Sequence, residues 1–238
     1  MTVKAIIFDL FETLVTEFDE KGRIAPASSF SPYRLGLSDD DFNRAWVERK
    51  KKRMEGGFQD YTAILEDILQ SYGKNVSREI LEKYNKERII AKSYPFKKIS
   101  SSIIDTLQTI KSNQIKLGLI SNCGLEEVIY WKNCGIDHLF DVSLFSYEVG
   151  LAKPDTRIYQ LACGKLDVNP SNVIYIGDGD RLLYYSPFRC CRFFFPLASP
   201  KEMAGILNNS VMQTDVKLLV SYHVSCKIRC RKTRTYIY

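Results

Sequence analysis

The stretch Val3-Lys4-Ala5-Ile6-Ile7-Phe8-Asp9-Leu10 sets a carboxylate at the end of an apolar run. The run is too short for a membrane span, and it reads as a buried strand whose C-terminal end carries a polar group. It has no small-residue cleavage pattern and leads straight into acidic sequence, so it is not a secretory signal; a cytoplasmic protein is expected.

Two more apolar runs end in the same way. Ile115–Ile120 reads as a strand ending at Ser121-Asn122, and Val173–Ile176 as a strand ending at Gly177-Asp178. Val142–Phe145 is a further strand. Helical patterns over Ile103–Ser112, Leu125–Asn133 and Asp155–Leu166 lie between them. Strands alternating with helices imply right-handed βαβ units and a doubly wound, Rossmann-like α/β fold on a parallel sheet. In such a sheet ligands bind beyond the strand C-termini, the edge where Asp9, Ser121 and Asp178 collect.

Between the first strand and the rest lies a different pattern. Glu17 to Pro32 is rich in Gly, Pro and Ser and reads as loop. From about Ser38 to Ala91 the periodicity is helical. Ser38-Asp39-Asp40-Asp41 supplies a cap and first-turn acids, and Phe42, Trp46 and Arg49 share a face. Tyr61, Ile64, Leu65, Ile68 and Leu69 repeat at helical spacing, and Ser77 opens another helix. Residues 16–94 are therefore expected to be an inserted helical domain, with 1–15 and 95–238 forming the α/β core. Arg34, Arg44, Arg49, Arg53 and Tyr61 lie in the insertion, and Lys50-Lys51-Lys52-Arg53 reads as a solvated helix face.

Four strings in order resemble the motif set of the haloacid dehalogenase (HAD) superfamily. They are Phe8-Asp9-Leu10-Phe11-Glu12-Thr13-Leu14, Leu119-Ile120-Ser121-Asn122, Lys153-Pro154-Asp155 and Ile174-Tyr175-Ile176-Gly177-Asp178-Gly179. Each is weak alone, but four in sequence at strand ends and helix starts are specific. The resemblance covers residues 1–179 and implies that the insertion is a C1 cap. It also implies Mg²⁺-dependent hydrolysis of a small phosphate ester. Asp9 would be the nucleophile that becomes an aspartyl-phosphate, and Asp9, the Phe11 carbonyl and Asp178 would hold the metal. Lys153 would offset charge at the nucleophile. Ser121 and the Asn122 amide would donate to phosphoryl oxygens.

The chain departs from that pattern at Phe11. Phosphatases of the family carry a second Asp there, which protonates the leaving group and activates water; its loss costs typically ~10²–10⁴-fold in rate. Glu12 is adjacent, but on an extended segment it should point elsewhere. An aromatic at this position resembles the 2-haloacid dehalogenases, in which an Asp displaces halide without a metal. Gly177-Asp178 favours phosphate chemistry. A third reading is a catalytically weak relative that binds a partner or ligand.

The second departure begins at Asp180. The family's further acidic residue would fall at Leu182 or Leu183, and Pro187 stands where a helix interior should be. Composition shifts at the same point: residues 180–238 hold ten Lys/Arg against three Asp/Glu, and residues 1–179 hold 24 against 25. The net charge of +6 thus belongs to the tail and implies no nucleic-acid partner for the body. Two readings stand: a tail from a shifted reading frame, or a divergent last βα unit with strands at Arg192–Phe195 and Leu218–Tyr222. Of the seven cysteines, Cys190, Cys191, Cys226 and Cys230 are in the tail. Cys226-x-x-x-Cys230 beside His223 lacks a second pair at zinc spacing, so no zinc site is expected and the thiols should be reduced.

Overall fold

The computed structural model describes residues 3–177 and the backbone of residues 189–190. The chain begins with β1 (Ala5–Phe8), a short hairpin of β2 (Phe18–Asp19) and β3 (Gly22–Arg23), and four helices. These are α1 (Asp39–Glu48), α2 (Lys50–Met54), α3 (Tyr61–Ser71) and α4 (Arg78–Ser93). Next come α5 (Ser101–Ser112), β4 (Lys116–Ser121), α6 (Leu125–Val128), β5 (Val142–Phe145) and α7 (Ser146–Val149). The described part ends with α8 (Thr156–Leu166), β6 (Val173–Ile176) and β7 (Arg189–Cys190). None of the described helices is long and apolar enough to cross a membrane.

β1 lies in the middle of a parallel sheet of order β5-β4-β1-β6-β7. Its burial on both faces explains why it reads as an unbroken apolar run. The side chains still divide by parity. Ile6 and Phe8 join Leu117 and Leu119 of β4 under Leu107 and Ile110 of α5. Ala5 and Ile7 join Ile120 under Ile158, Tyr159, Ala162 and Leu166 of α8. The two-residue period therefore fixes which helix each strand residue meets. Asp9 continues the odd-numbered set, on the face covered by α8.

The inserted helices bury a core of their own, made by Phe42, Trp46, Tyr61, Ile64, Leu65, Ile68, Leu81 and their neighbours. Ser38 caps α1 by accepting from the Asp41 amide at 3.1 Å, as its sequence predicts. Phe42 stacks on Trp46 at 6.0 Å.

Three local expectations change. The loop expected at 17–32 contains the β2–β3 hairpin. The helix expected over 125–133 stops at Val128, and a 3₁₀ turn then swings Trp131 into the core against Phe140 and Phe145. Lys50, Lys51 and Lys52 are exposed as expected, but Arg53 is not part of that face: its guanidinium lies 3.7 Å over the Trp46 ring. Backbone pairing at Arg189–Cys190 adds a fifth strand beside β6. The tail strands expected at 192–195 and 218–222, and Cys226, Cys230 and His223, lie outside the described residues. Cys123, Cys134 and Cys163 are free thiols.

A charged strap joins the inserted helices to the sheet. Arg88 on α4 donates to Glu126 (2.9 Å) and Glu127 (3.2 Å) on α6. Lys92, one turn further, bridges Glu127 (2.7 Å) and Glu17 (2.8 Å). The Arg88 guanidinium also sits over Tyr61 and Trp46. Burial opposes the charges of Glu127 and Arg88. Lys92 and Arg88 nevertheless hold the Glu127 carboxyl down at about 2, against an ordinary 4.5. Glu127 and Glu126 in turn raise Arg88 against the pull of burial.

Removing one partner from a pair this buried leaves a charge uncompensated. Arg88→Met keeps an unbranched apolar side chain but removes the guanidinium, and should lower the unfolding free energy by about 3 kcal/mol, measured by urea titration. Because the folded Glu127 carboxyl is depressed, its contribution is complete above the unfolded value near 4.5 and is lost as pH falls towards about 2. The stability gap between the native chain and Glu127→Gln should be flat above about pH 5 and close below it. A gap that stays open in acid would remove Glu127 from the strap's electrostatics.

Candidate active site

The strand ends converge where the parity of the sheet sends them. The Asp9 amide donates to the Ile176 carbonyl at 2.8 Å, which ties the residue beyond β1 to the last residue of β6. Asp9 Oδ1 accepts from the Leu10 amide (2.8 Å) and from Lys153 Nζ (2.6 Å). Lys153 precedes α8, so it approaches from the face to which Asp9 points. Its ammonium makes two further bonds, to the Ile120 carbonyl (3.0 Å) and to Tyr175 Oη (3.1 Å). An ammonium has three donors, and all three are engaged here.

Asn122 holds the loop that carries Lys153. Its Oδ1 accepts from the Lys153 amide (2.7 Å) and its Nδ2 donates to the Lys153 carbonyl (2.8 Å). The Asn122 carboxamide thus clamps the main chain at Lys153 with one of its two Nδ2 donors and its Oδ1. Ser121 ends β4 with its side chain 1% exposed, and its Oγ has no partner among the described residues. Thr13 Oγ1 is likewise buried and unpartnered. A buried hydroxyl without a partner costs about 1–3 kcal/mol. Two of them, on the loops after β1 and β4, suit a site that receives an oxygen-rich group.

The Leu10–Val15 loop is closed by the Leu14 and Val15 amides on the Leu10 carbonyl and by the Glu12 amide on the Val15 carbonyl. The Phe11 carbonyl takes no part in these bonds. The Phe11 ring meets Phe96 edge-on at 6.3 Å and lies 5.4 Å below the Lys92 ammonium. Glu12, at φ +55°, turns its carboxylate back onto the loop, accepting from the Glu17 amide (2.9 Å) and Thr16 Oγ1 (3.0 Å). It is committed to holding the loop rather than serving as an acid or base.

Asp9 and the Phe11 carbonyl are hard oxygen donors of the kind Mg²⁺ takes. Asp178 lies outside the described residues, and among the described ones no three His, Cys, Asp or Glu side chains gather as a metal cluster. Gly177 brings the chain alongside Asp9: a Cβ placed on it would lie 3.0 Å from Asp9 Cβ and 2.9 Å from Tyr175 Cε1. Nothing in the motif singles out Tyr175 as a site residue. The available signal is parity, since it shares a strand face with Gly177 two residues on.

Comparison with known proteins agrees with this architecture. The family model for haloacid dehalogenase-like hydrolases matches residues 3–181. A glyceraldehyde 3-phosphate phosphatase of Methanopyrus kandleri is 26% identical over 184 residues, covering 74% of this chain and 76% of the relative. An (S)-2-haloacid dehalogenase of a Pseudomonas species is 23% identical over 184 residues, covering 73% and 75%. A predicted HAD-like family hydrolase of Porphyromonas gingivalis superposes with a TM-score of 0.59 at 15% identity, over 88% of this chain and 100% of that one. The protein belongs to the haloacid dehalogenase-like hydrolases.

Proposed function

We propose that this hydrolase cleaves small phosphate esters through an aspartyl-phosphate on Asp9. The observation that carries the reading is the pairing of Asp9 Oδ1 with Lys153 at 2.6 Å, which leaves Oδ2 to attack. The ammonium offsets the repulsion between a carboxylate and an anionic phosphoryl group. Ser121 Oγ and the Asn122 backbone N–H would bind phosphoryl oxygens, which gives the buried Ser121 hydroxyl its partner. A bound Mg²⁺, held by Asp9, the Phe11 carbonyl and Asp178, would neutralise phosphoryl charge. Residues 16–94 would act as a cap over the core formed by 1–15 and 95–238, shielding the site from water in a cytoplasmic enzyme. The relatives named as phosphatases support the choice of ester.

One observation favours a second reading. Phe11 and Glu12 offer no acid or base beside Asp9, and displacement of halide from a 2-haloacid needs no protonated leaving group. The second half-reaction still needs water activated by another group.

A panel of phosphate esters and 2-haloacids, assayed with Mg²⁺ and with chelator, separates the readings. Chelator-sensitive phosphate release is expected. Metal-independent halide release would transfer the chain to the dehalogenases, and no turnover of either class would reject both. Asp9→Asn should abolish whichever activity is found, and full activity in that variant would end the nucleophile assignment. Phe11→Asp restores a carboxyl to the leaving-group position and should raise phosphate release by ~10²-fold. Under dehalogenase chemistry it should bring no gain.

A further inference from the structure

We propose that Tyr175 is a positioning residue of this active site, whose hydroxyl, together with the Ile120 carbonyl, holds the Lys153 ammonium against Asp9. The inference rests on Asp9 as nucleophile and adds a residue that the motif pattern does not supply.

The geometry is specific. Tyr175 is 1% exposed in the middle of β6, and its ring packs edge-on against Tyr159 at 5.5 Å. The surrounding layer under α8 is apolar: Ile7, Ile120, Ile158, Ala162 and Leu166. A tyrosine hydroxyl buried in such a layer needs a polar partner, and Lys153 Nζ is at 3.1 Å. Lys153 is a long side chain with four rotatable bonds, and its side chain is only 9% exposed. Alone, it could adopt several rotamers in reach of Asp9. Two fixed acceptors restrict it: the Ile120 carbonyl from β4 and the Tyr175 hydroxyl from β6. With two of the three donors tied to the strands on either side of β1, the third is aimed at Asp9 Oδ1.

Gly177 preserves this arrangement. A Cβ at that position would come 3.1 Å from Tyr175 Oη and 3.0 Å from Asp9 Cβ. The hydroxyl and the nucleophile are both packed against the same glycine, so any side chain there would displace one of them. Electrostatic stabilisation in an active site depends on charges fixed before the reaction begins. The tyrosine hydroxyl fixes this one without adding a second formal charge.

Tyr175→Phe keeps the ring and its packing and deletes only Oη. The expected result is a fall in kcat of about 10- to 100-fold, as for loss of one hydrogen bond to a charged group. KM should move by less than about three-fold, because the contact is used in the reaction rather than in binding. In a Lys153→Ala background the same substitution should add less than about two-fold, since Tyr175 acts through Lys153. Multiplicative losses in the double variant, or a rise in KM with kcat intact, would overturn the proposal. A measurement independent of turnover is hydrogen exchange of the Lys153 ammonium, followed by proton–nitrogen NMR. Exchange should quicken by at least about ten-fold in Tyr175→Phe, as one hydrogen bond is lost. Unchanged exchange would overturn the positioning role. Should the native chain turn over no phosphate ester, the phosphatase reading falls, while the exchange experiment still decides for or against Tyr175.

Discussion

The contact between Asp9 and Lys153 is the constraint around which the molecule is arranged. A carboxylate at the end of a strand buried on both faces loses much of its hydration and needs a partner of opposite charge. An ammonium 2.6 Å away supplies it. The pairing depends on elements far apart in sequence. β1 must be central for Asp9 to bond to the end of β6, and the odd-numbered face must be the one that α8 covers. Asn122 must also clamp the main chain at Lys153, which it does through both ends of its carboxamide. Each condition follows from the alternation of strand side chains and the order of the parallel sheet.

The loop after Asp9 links this centre to the inserted helices. Phe11 fills space against Phe96 and lies beneath the Lys92 ammonium. Lys92 in turn bridges Glu17 and Glu127, and Glu127 Oε2 accepts from the Gly124 amide, two residues beyond Asn122. One lysine of α4 therefore touches the loop from β1 and the helix that follows β4. Three carboxylates, Glu17, Glu126 and Glu127, face two cations, Arg88 and Lys92, in a poorly solvated seam. Such a group has a strict geometry, because any displacement of α4 separates charges that have few waters to replace their partners. The position of the inserted helices is thus coupled to the loops that carry Asp9 and Asn122.

Much of this was legible in the sequence, and the reasons for success and failure differ. The strands were visible because parallel strands buried on both faces are continuous apolar runs. The site was visible because polar residues interrupt those runs at the same end. Asp9, Ser121, Asn122 and Lys153 come together as their motif order suggests, whereas Asp178 lies beyond the described residues. What the sequence hides depends on three-dimensional partners. The Asn122 side chain is a structural clamp, a role invisible without knowing that residue 153 lies beside it. Tyr175 reads as one more apolar strand residue until its hydroxyl is seen at Lys153. Arg53 stands in a run of lysines that looks uniformly solvated, and only the Trp46 ring distinguishes it. The strap could not be read at all, because ion pairs between Arg88, Lys92 and residues about 35 to 75 positions away leave no periodic trace.

The two chemistries open to this family differ in what they ask of position 11, and the fold does not choose between them because both use the same sheet edge and the same aspartate. The difference is a proton. An alkoxide leaving from phosphorus is strongly basic and benefits from an acid beside it, while halide leaves unaided. Phe11 removes the nearest acid, and Glu12 is turned into its own loop. The site also retains features that suit an anionic group: two buried hydroxyls without partners among the described residues, at Thr13 and Ser121, and an ammonium held on Asp9. Attack on phosphorus with a slow second step is compatible with this set of groups. The aspartyl-phosphate would form with the help of Lys153 and would then wait for water that no carboxylate at position 11 activates. On this argument Phe11 slows both the arrival of the phosphoryl group on Asp9, by removing the acid at the leaving oxygen, and its departure, by removing the base at the water.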